Sequence, residues 1–583
     1  MQPKAILLAA TALAALPLTG QAQELAFSPV PFAADDAAKR QVLASDKVTV
    51  DGKDYPIAYH VLARTGDKLG DGVFGALIDR DGKVVTSEDG SEHLSVDADF
   101  TSLIRKGDKL YAVTHFESRP GAIYVTELTQ DGDGKLTATK TSPVDFAQQG
   151  GLWVPCAGSV TPWGNHLGGE EYPPNAEAVE AANDISEIDE YYRPMARFFG
   201  LDPATMTLDD FRAAFNPYAY GFPTEITIDD QGHASATKHY AMGRVAIELA
   251  HVMPDNKTVY ITDDGTNVGL YKFIADQAGK LDAGTLYAAK WTQTADQDAG
   301  EADIDWVELG HATSDEVRKL IDAKTRFADI FEVADMAEDG SCADGFTPSI
   351  AEDVHQCLKV KPGMELAAAT LETRRYAAIK GATLEFRKME GFTWNPQKNE
   401  AYLAMSEVSK GMEDAGKQDL GGSNDIRLTQ NKCGAVYALS MDDSFNVSKM
   451  RTLLTGKPVD DAVNSCDIDG IANPDNLTFI DGYDTLIIGE DTGDGHQNDA
   501  IWSYNLTSGA LTRIFSTPYG SETTSPYWYP DVNGHGYLMA VVQHPYGESD
   551  EDKLQDAADA RAYVGYIGPF PAMGGHSEYS PAQ

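Results

Sequence analysis

Along most of the chain, apolar residues come in runs of about five, each bounded by Gly, Asp or Asn. "KLYAVTHFES" (109–118), "TVYITDDG" (258–265), "EAYLAMSEVS" (400–409), "DTLIIGED" (484–491) and "GYLMAVVQHP" (536–545) resemble one another, and each ends in polar or acidic side chains. Runs this short, rich in β-branched and aromatic residues and closed by turn formers, predict β-strands. Asp-Gly turns separate others, as in "IDRDGK" (78–83), "TQDGDGK" (129–135) and "IDDQGH" (228–233). The "DGDG" within the second lacks the ligand spacing of an EF-hand and reads as a turn. The pattern predicts an all-β fold, a sandwich or a propeller. A propeller, with six blades, is the better expectation. Its strands aim at one axial channel, so acidic groups at strand ends would converge there. The repeats are too unequal in spacing for a fixed-period family.

Two stretches break the β pattern. Residues 173–216 and 312–380 space their apolar positions helically and carry Asp/Thr capping signals. Both read as mostly helical insertions covering one mouth of a single propeller domain that spans 23–583. Ahead of it, "MQPKAILLAATALAALPLTGQA" has one lysine, an apolar run and small residues at its end. That is the form of a cleaved Sec-type signal peptide over residues 1–22, and it predicts a periplasmic or extracellular protein. No later run is long and apolar enough to predict insertion in a membrane.

Composition changes the picture in one respect. The chain of 583 residues has a formal net charge of −44, while 42% of its residues are hydrophobic. A core is therefore available, and the acidity belongs to the surface and the sites. Such a field argues against nucleic-acid partners and repels phosphate esters unless bound cations reverse it locally. The expected state is a monomer.

Five cysteines are present in a chain expected to be exported. Cys342 and Cys357 bracket a short loop and make the natural first pair. Cys433 and Cys466 border strand-like stretches and make the second. Cys156 is left over, as a buried inert thiol or as a ligand. Candidate ligands fall in five clusters: Cys156 with Glu170 and Glu171; Glu248 with Asp263, Asp264 and Lys272; Glu390; Asp475 and Asn476 with Glu490 and Asp491; and Glu522 with the "QHP" at 543–545. Carboxylates at strand ends suit a hard cation such as Ca²⁺. A thiolate among them suits a softer transition metal.

"CAGSVTPWGNHLGGEEY" (156–172) closely resembles the signature of the PhoX-type alkaline phosphatases. Further matches follow in order: "GRVAIE", "VYITDDG" with "LYKF", "RRYAAIKGAT", "RKMEG", "NPDNL", "SETTSP" and "QHP". The resemblance implies a secreted phosphomonoesterase acting on small phosphate esters, with a propeller core and an oxo-bridged cluster of Fe³⁺ and Ca²⁺. It implies Cys156 and Glu248 as iron ligands, and Glu390 and Asp475 between iron and calcium. Glu171, Asp264, Glu490 and Glu522 would be calcium ligands. Arg387, Lys388 or Arg375 would grip phosphate, and His544 would act as general acid. The chain departs from the family in having no twin arginine at its start, and in Lys388-Met389-Glu390 where Arg-x-Glu is common. Two rival functions share the carboxylate-lined channel: a calcium-dependent hydrolase of lactones or phosphotriesters, and a calcium-stiffened binding propeller without catalysis.

Overall fold

The computed structural model describes residues 24–87, 90–352 and 354–574. The expected signal segment lies outside them. Six antiparallel units of four strands follow one another along the chain. The first comprises Ala98–Lys106, Lys109–Phe116, Ala122–Gln130 and Leu136–Pro143. The second comprises Pro155–Val160, His166–Glu170, Thr224–Ile228 and Ala234–Lys238. The third starts at Ile247–Val252, the fourth at Met389–Asn395, the fifth at Pro474–Ile480 and the sixth at Glu522–Val532. Each first strand touches the first strands of the units before and after it, and the sixth touches the first. That closed ring makes the fold a six-bladed β-propeller.

The ring is closed by the N-terminal region. Ala58–Arg64 pairs with Tyr563–Pro571 as the outer strand of blade six, and Leu43–Ala44 adds to the edge of blade five. Both ends of the chain thus contribute to the closing blades, which leaves fewer open sheet edges. Strand Glu301–Thr313 joins blades three and four into one nine-stranded sheet.

The five similar apolar runs in the sequence are the second strands of blades one, three, four, five and six. Thr258–Asp263 and Thr485–Glu490 are buried at every position, because packed neighbours cover both faces. Strands farther out alternate, as in Thr224–Ile228. Periodicity therefore tracks distance from the axis.

Helices occur in both insertions, started by capping boxes at Thr207/Asp210 and Thr313/Glu316. In the first, the α-helices are only Ala176–Ala181 and Leu208–Ala214, and much of the rest is 3₁₀ turn. The second departs from the mostly helical expectation. Between its helices lies a three-stranded sheet of Phe331–Ala334, Val354–Val360 and Thr347–Ala351. A crosslink at Cys342–Cys357 holds this sheet, stabilising strands too short for periodicity to reveal.

The other disulfide is Cys433–Cys466, and Cys156 is a buried free thiol. Denaturation without reductant should accordingly expose one thiol per chain to Ellman's reagent, and reduction should expose all five. Replacing Cys433 and Cys466 by Ser opens a crosslink 33 residues long and should cost about 3 kcal/mol in denaturant unfolding. An unchanged midpoint would show that the crosslink constrains nothing.

Candidate metal centre

Every blade opens with the same irregularity. In the first strand, two residues face one residue of the second strand, which is a β-bulge. The bulged pairs are Asp99-Phe100, Cys156-Ala157, Glu248-Leu249, Glu390-Gly391, Asp475-Asn476 and Ser525-Pro526. A bulge re-aims side chains. Five of the six leading residues are ionisable: Asp99, Cys156, Glu248, Glu390 and Asp475. All five are buried. Ser525 takes the equivalent place in blade six and bonds to backbone of residues 99 and 101.

A second set comes from the ends of the second strands. The residue paired just before each bulge is Phe116, Glu170, Asp263, Met405 and Glu490 in blades one to five. The next residue along is Glu117, Glu171, Asp264, Ser406 and Asp491. Four of these, with Cys156, Glu248, Glu390 and Asp475, line one pocket of about 360 Å³. Ser406 donates to Glu390 at 2.7 Å. Blade six supplies Glu522, Gln543 and His544 to the same pocket.

The acidic doublets "EE", "DD" and "ED" at these strand ends divide their labour. The first member is a structural anchor. Glu170 accepts from backbone N–H of Trp153, Gly221 and Phe222 and pairs with Lys238 at 2.7 Å. Asp263 accepts from Ala246 N, Gly269 N and Arg374 Nε. Glu490 accepts from Ala472 N, Ala500 N, Trp502 Nε1 and His496. In each case one bond reaches the residues that lead into the first strand, so the anchor locks the bulge in place. The second member faces the pocket.

This division corrects one expected ligand. Glu490 is turned away from the pocket with both oxygens saturated, and Asp491 lines the wall instead. Arg387 is also outside it, bonded to Glu407 and Thr266. Arg375 is held by Glu372, Glu177 and Gln356. Lys272 is remote, bonded to Asn446 and stacked on Trp306. Cys156, Glu171, Glu248, Asp264, Glu390, Asp475, Glu522, Lys388 and His544 are brought together. Sequence reasoning missed Asp99, Glu117, Arg119, Tyr172 and Tyr191. Glu117 had a signal, since it ends an apolar run as Glu171, Asp264 and Asp491 do.

The electrostatics are those of crowded like charges. Three sets of ligand atoms lie within 4.8 Å of one another: Asp99, Glu117 and Cys156; Cys156, Glu171 and Glu248; and Glu248, Glu390 and Asp475. Burial, then neighbouring carboxylates, pushes Asp99, Glu248 and Glu522 well above the carboxylate range. Burial and Asp491 raise Asp475 to about 8. Burial lifts Glu117 to about 7. The Cys156 thiol is raised by burial and by Asp99 and Glu248, whose oxygens lie 3.3 and 3.1 Å from Sγ. Two cations moderate the field. Lys388 Nζ sits 3.8, 3.6 and 3.3 Å from Asp264, Glu390 and Asp491, and against the effect of burial it holds Asp264 below its usual value. Against burial, bonds to Asp97 and Glu548 raise His544 to about 10.

This donor set fits metal ions. Buried carboxylates need cations or protons, and here a single lysine serves Asp264, Glu390 and Asp491. Asp99 Oδ1 is buried with no hydrogen-bond partner. Behind Cys156, His115 Nδ1 donates to its carbonyl, and His115 Nε2 meets His166 Nε2 at 2.6 Å. His166 Nδ1 ends the chain on Ser102 at 2.8 Å. Burial lowers His115 to about 4, so the imidazole stays neutral and braces the cysteine backbone. The backbone is also strained at this point. Val154, Lys388 and Asn473, each just ahead of a first strand, have φ of 36°, 46° and 39°.

A solved structure of Pseudomonas fluorescens PhoX in complex with vanadate, a transition state analogue, shares this fold. It has a TM-score of 0.59 and 17% identity over 94% of this chain and 98% of that one. More distant similarity extends to a putative 6-phosphogluconolactonase from Bacteroides uniformis, with a TM-score of 0.31 and 10% identity over 86% and 98% of the two chains. The Pseudomonas aeruginosa periplasmic gluconolactonase PpgL also has a TM-score of 0.31 and 10% identity, over 88% and 97%. No curated protein sequence matches the chain. The profile of the family described as alkaline phosphatase PhoX matches residues 101–546, which hold five of the six blade-opening bulges, and the chain belongs to that family.

Proposed function

We propose that this alkaline phosphatase hydrolyses small phosphate monoesters at an iron–calcium centre held by the bulge residues of the propeller. The observation that carries the reading is the convergence of Cys156, Glu248, Glu390 and Asp475 from four blades on one pocket, with Asp99 of a fifth blade directly behind Cys156. Cys156 and Glu248 would hold iron. Glu390 and Asp475 would lie between iron and calcium, and Glu171, Asp264, Glu522 and Asp491 would hold calcium. The choice follows donor chemistry, since a thiolate favours a transition metal and an irregular oxygen set favours Ca²⁺. When bound, such cations supply Lewis acidity to the phosphate.

The chain's own groups do the rest. Lys388 adds positive charge to the carboxylate wall. His544 carries a proton at the pocket edge. Its Nε2 lies 3.0 Å from Glu548 and 3.8 Å from Glu522, carboxylates that keep the imidazole protonated for transfer to a leaving oxygen. Strand-end carboxylates exclude anions until the cations are loaded, which ties activity to metal content. The two disulfides and the leader expected at 1–22 support secretion.

The test is release of phosphate from p-nitrophenyl phosphate, together with elemental analysis. The protein should contain iron and calcium, and chelation of calcium should abolish turnover until calcium is returned. Zinc alone, or full activity after exhaustive chelation, would overturn the reading. Cys156→Ser should remain folded yet lose iron and more than about 100-fold in activity, beyond the ~10–100-fold typical of losing a partner that only orients a ligand.

The doublets give a sharper comparison. Asp491→Asn should lower activity and calcium content with little effect on stability. Glu490→Gln should instead destabilise the fold by about 3 kcal/mol, because it disrupts a buried ionic network. Equal effects of the two changes on calcium content would contradict the division of roles.

The pKa shifts also set a pH dependence. Asp475 rises from 3.8 to about 8 and Glu117 from 4.5 to about 7 on folding without metal. For both groups folding favours the protonated form. Their contribution is complete below about pH 4 and is lost as pH rises towards 8. Metal binding requires the deprotonated forms. The gap in melting temperature between metal-replete and metal-free protein should therefore widen from pH 4 to pH 8. A gap that narrows would refute these assignments.

A further inference from the structure

Three side chains of the pocket wall carry or can carry positive charge: Arg119, Lys388 and His544. Lys388 and His544 are each within 4 Å of three carboxylates. Arg119 differs. Among the described residues no carboxylate forms an ion pair with it, although Glu117 stands two positions away on the same wall. Its guanidinium lies over the ring of Tyr191, 3.7 Å from the centroid, and its buried Nε has no hydrogen-bond partner.

Tyr191 comes from the first insertion and packs edge-on against Tyr172, 6.5 Å away. The Tyr172 hydroxyl donates to Asp264, which also faces Lys388. An aromatic support thus runs from the carboxylate wall to Arg119 and fixes the guanidinium plane. Stacking engages the face of that plane and leaves its edge, with the N–H donors, free for an acceptor. Such an edge matches two oxygens of a phosphate group. A partly buried guanidinium with no described carboxylate within 4.0 Å, in a pocket rich in carboxylates, is placed for an anion that arrives from outside.

We propose that Arg119 contacts the phosphate oxygens of the substrate, and that Tyr191 is the positioning residue that holds its guanidinium in register. This inference rests on the phosphatase reading of the pocket. It also gives the first insertion a task, which is to deliver the ring that orients the anion contact.

Metal-replete protein with Arg119→Met, Arg119→Lys, Tyr191→Phe and Tyr191→Ala tests it. The measurements are kcat and KM for p-nitrophenyl phosphate, the inhibition constant of inorganic phosphate, and metal content. Loss of a charged hydrogen bond should raise KM and the phosphate inhibition constant of Arg119→Met by about 10-fold or more. The change in kcat should be smaller, with metal content unaltered. Arg119→Lys should recover part of the loss, and Tyr191→Ala should raise the phosphate inhibition constant more than Tyr191→Phe, which keeps the supporting ring. An unchanged phosphate inhibition constant in Arg119→Met overturns the proposal alone. So does loss of metal from that variant, which would make Arg119 a support of the metal centre. Absence of turnover in the unaltered protein overturns the phosphatase reading along with it.

Discussion

Mutual repulsion among buried carboxylates is the constraint on which the rest of this structure depends. Asp99, Glu248, Glu390, Asp475 and Glu522 are each buried, and each is raised first by burial and then by neighbouring carboxylates of the same cluster. A flexible site would relieve that repulsion by turning side chains outward. This one is prevented from doing so because its donors sit on the innermost strands, four of these five on bulges, packed between neighbouring blades. The propeller provides the convergence, and the bulge provides the aim.

The anchoring acids explain how the bulges persist. Glu170, Asp263 and Glu490 each accept hydrogen bonds from backbone at the start of the first strand and from groups elsewhere in the protein. A carboxylate saturated by N–H donors and a cation tolerates burial. Its chain neighbour lines the pocket instead, where Asp264 and Asp491 both face Lys388. One dipeptide therefore holds a charge locked into the fold beside a charge that lines the pocket.

The insertions are part of the same arrangement. Arg374 of the second insertion bonds Asp263 and pairs with Glu352, tying that insertion to the blade-three anchor. Arg375 and Gln356 bond Glu177 of the first insertion, which joins the two. Segments that look like additions to the propeller thus brace its pocket and supply Tyr191 to its wall.

The sequence by itself determined the fold class, both disulfides, the unpaired Cys156 and most of the converging acids. These follow from local rules: an apolar run closed by an acid is a strand that ends at the axis, and cysteines bordering such runs pair where the chain returns. It did not distinguish Glu490 from Asp491, because adjacent carboxylates are chemically alike until one of them finds Ala472 N, Ala500 N and Trp502. Nor did it place Arg119 at the pocket and Arg387 outside it, since an arginine's role depends on which acids surround it in space. The sheet at 331–360 was hidden for a related reason, its short strands being stabilised by a crosslink and by each other. Strand periodicity is written in consecutive residues. The partner of a charge lies up to hundreds of residues away, and tertiary structure alone decides it.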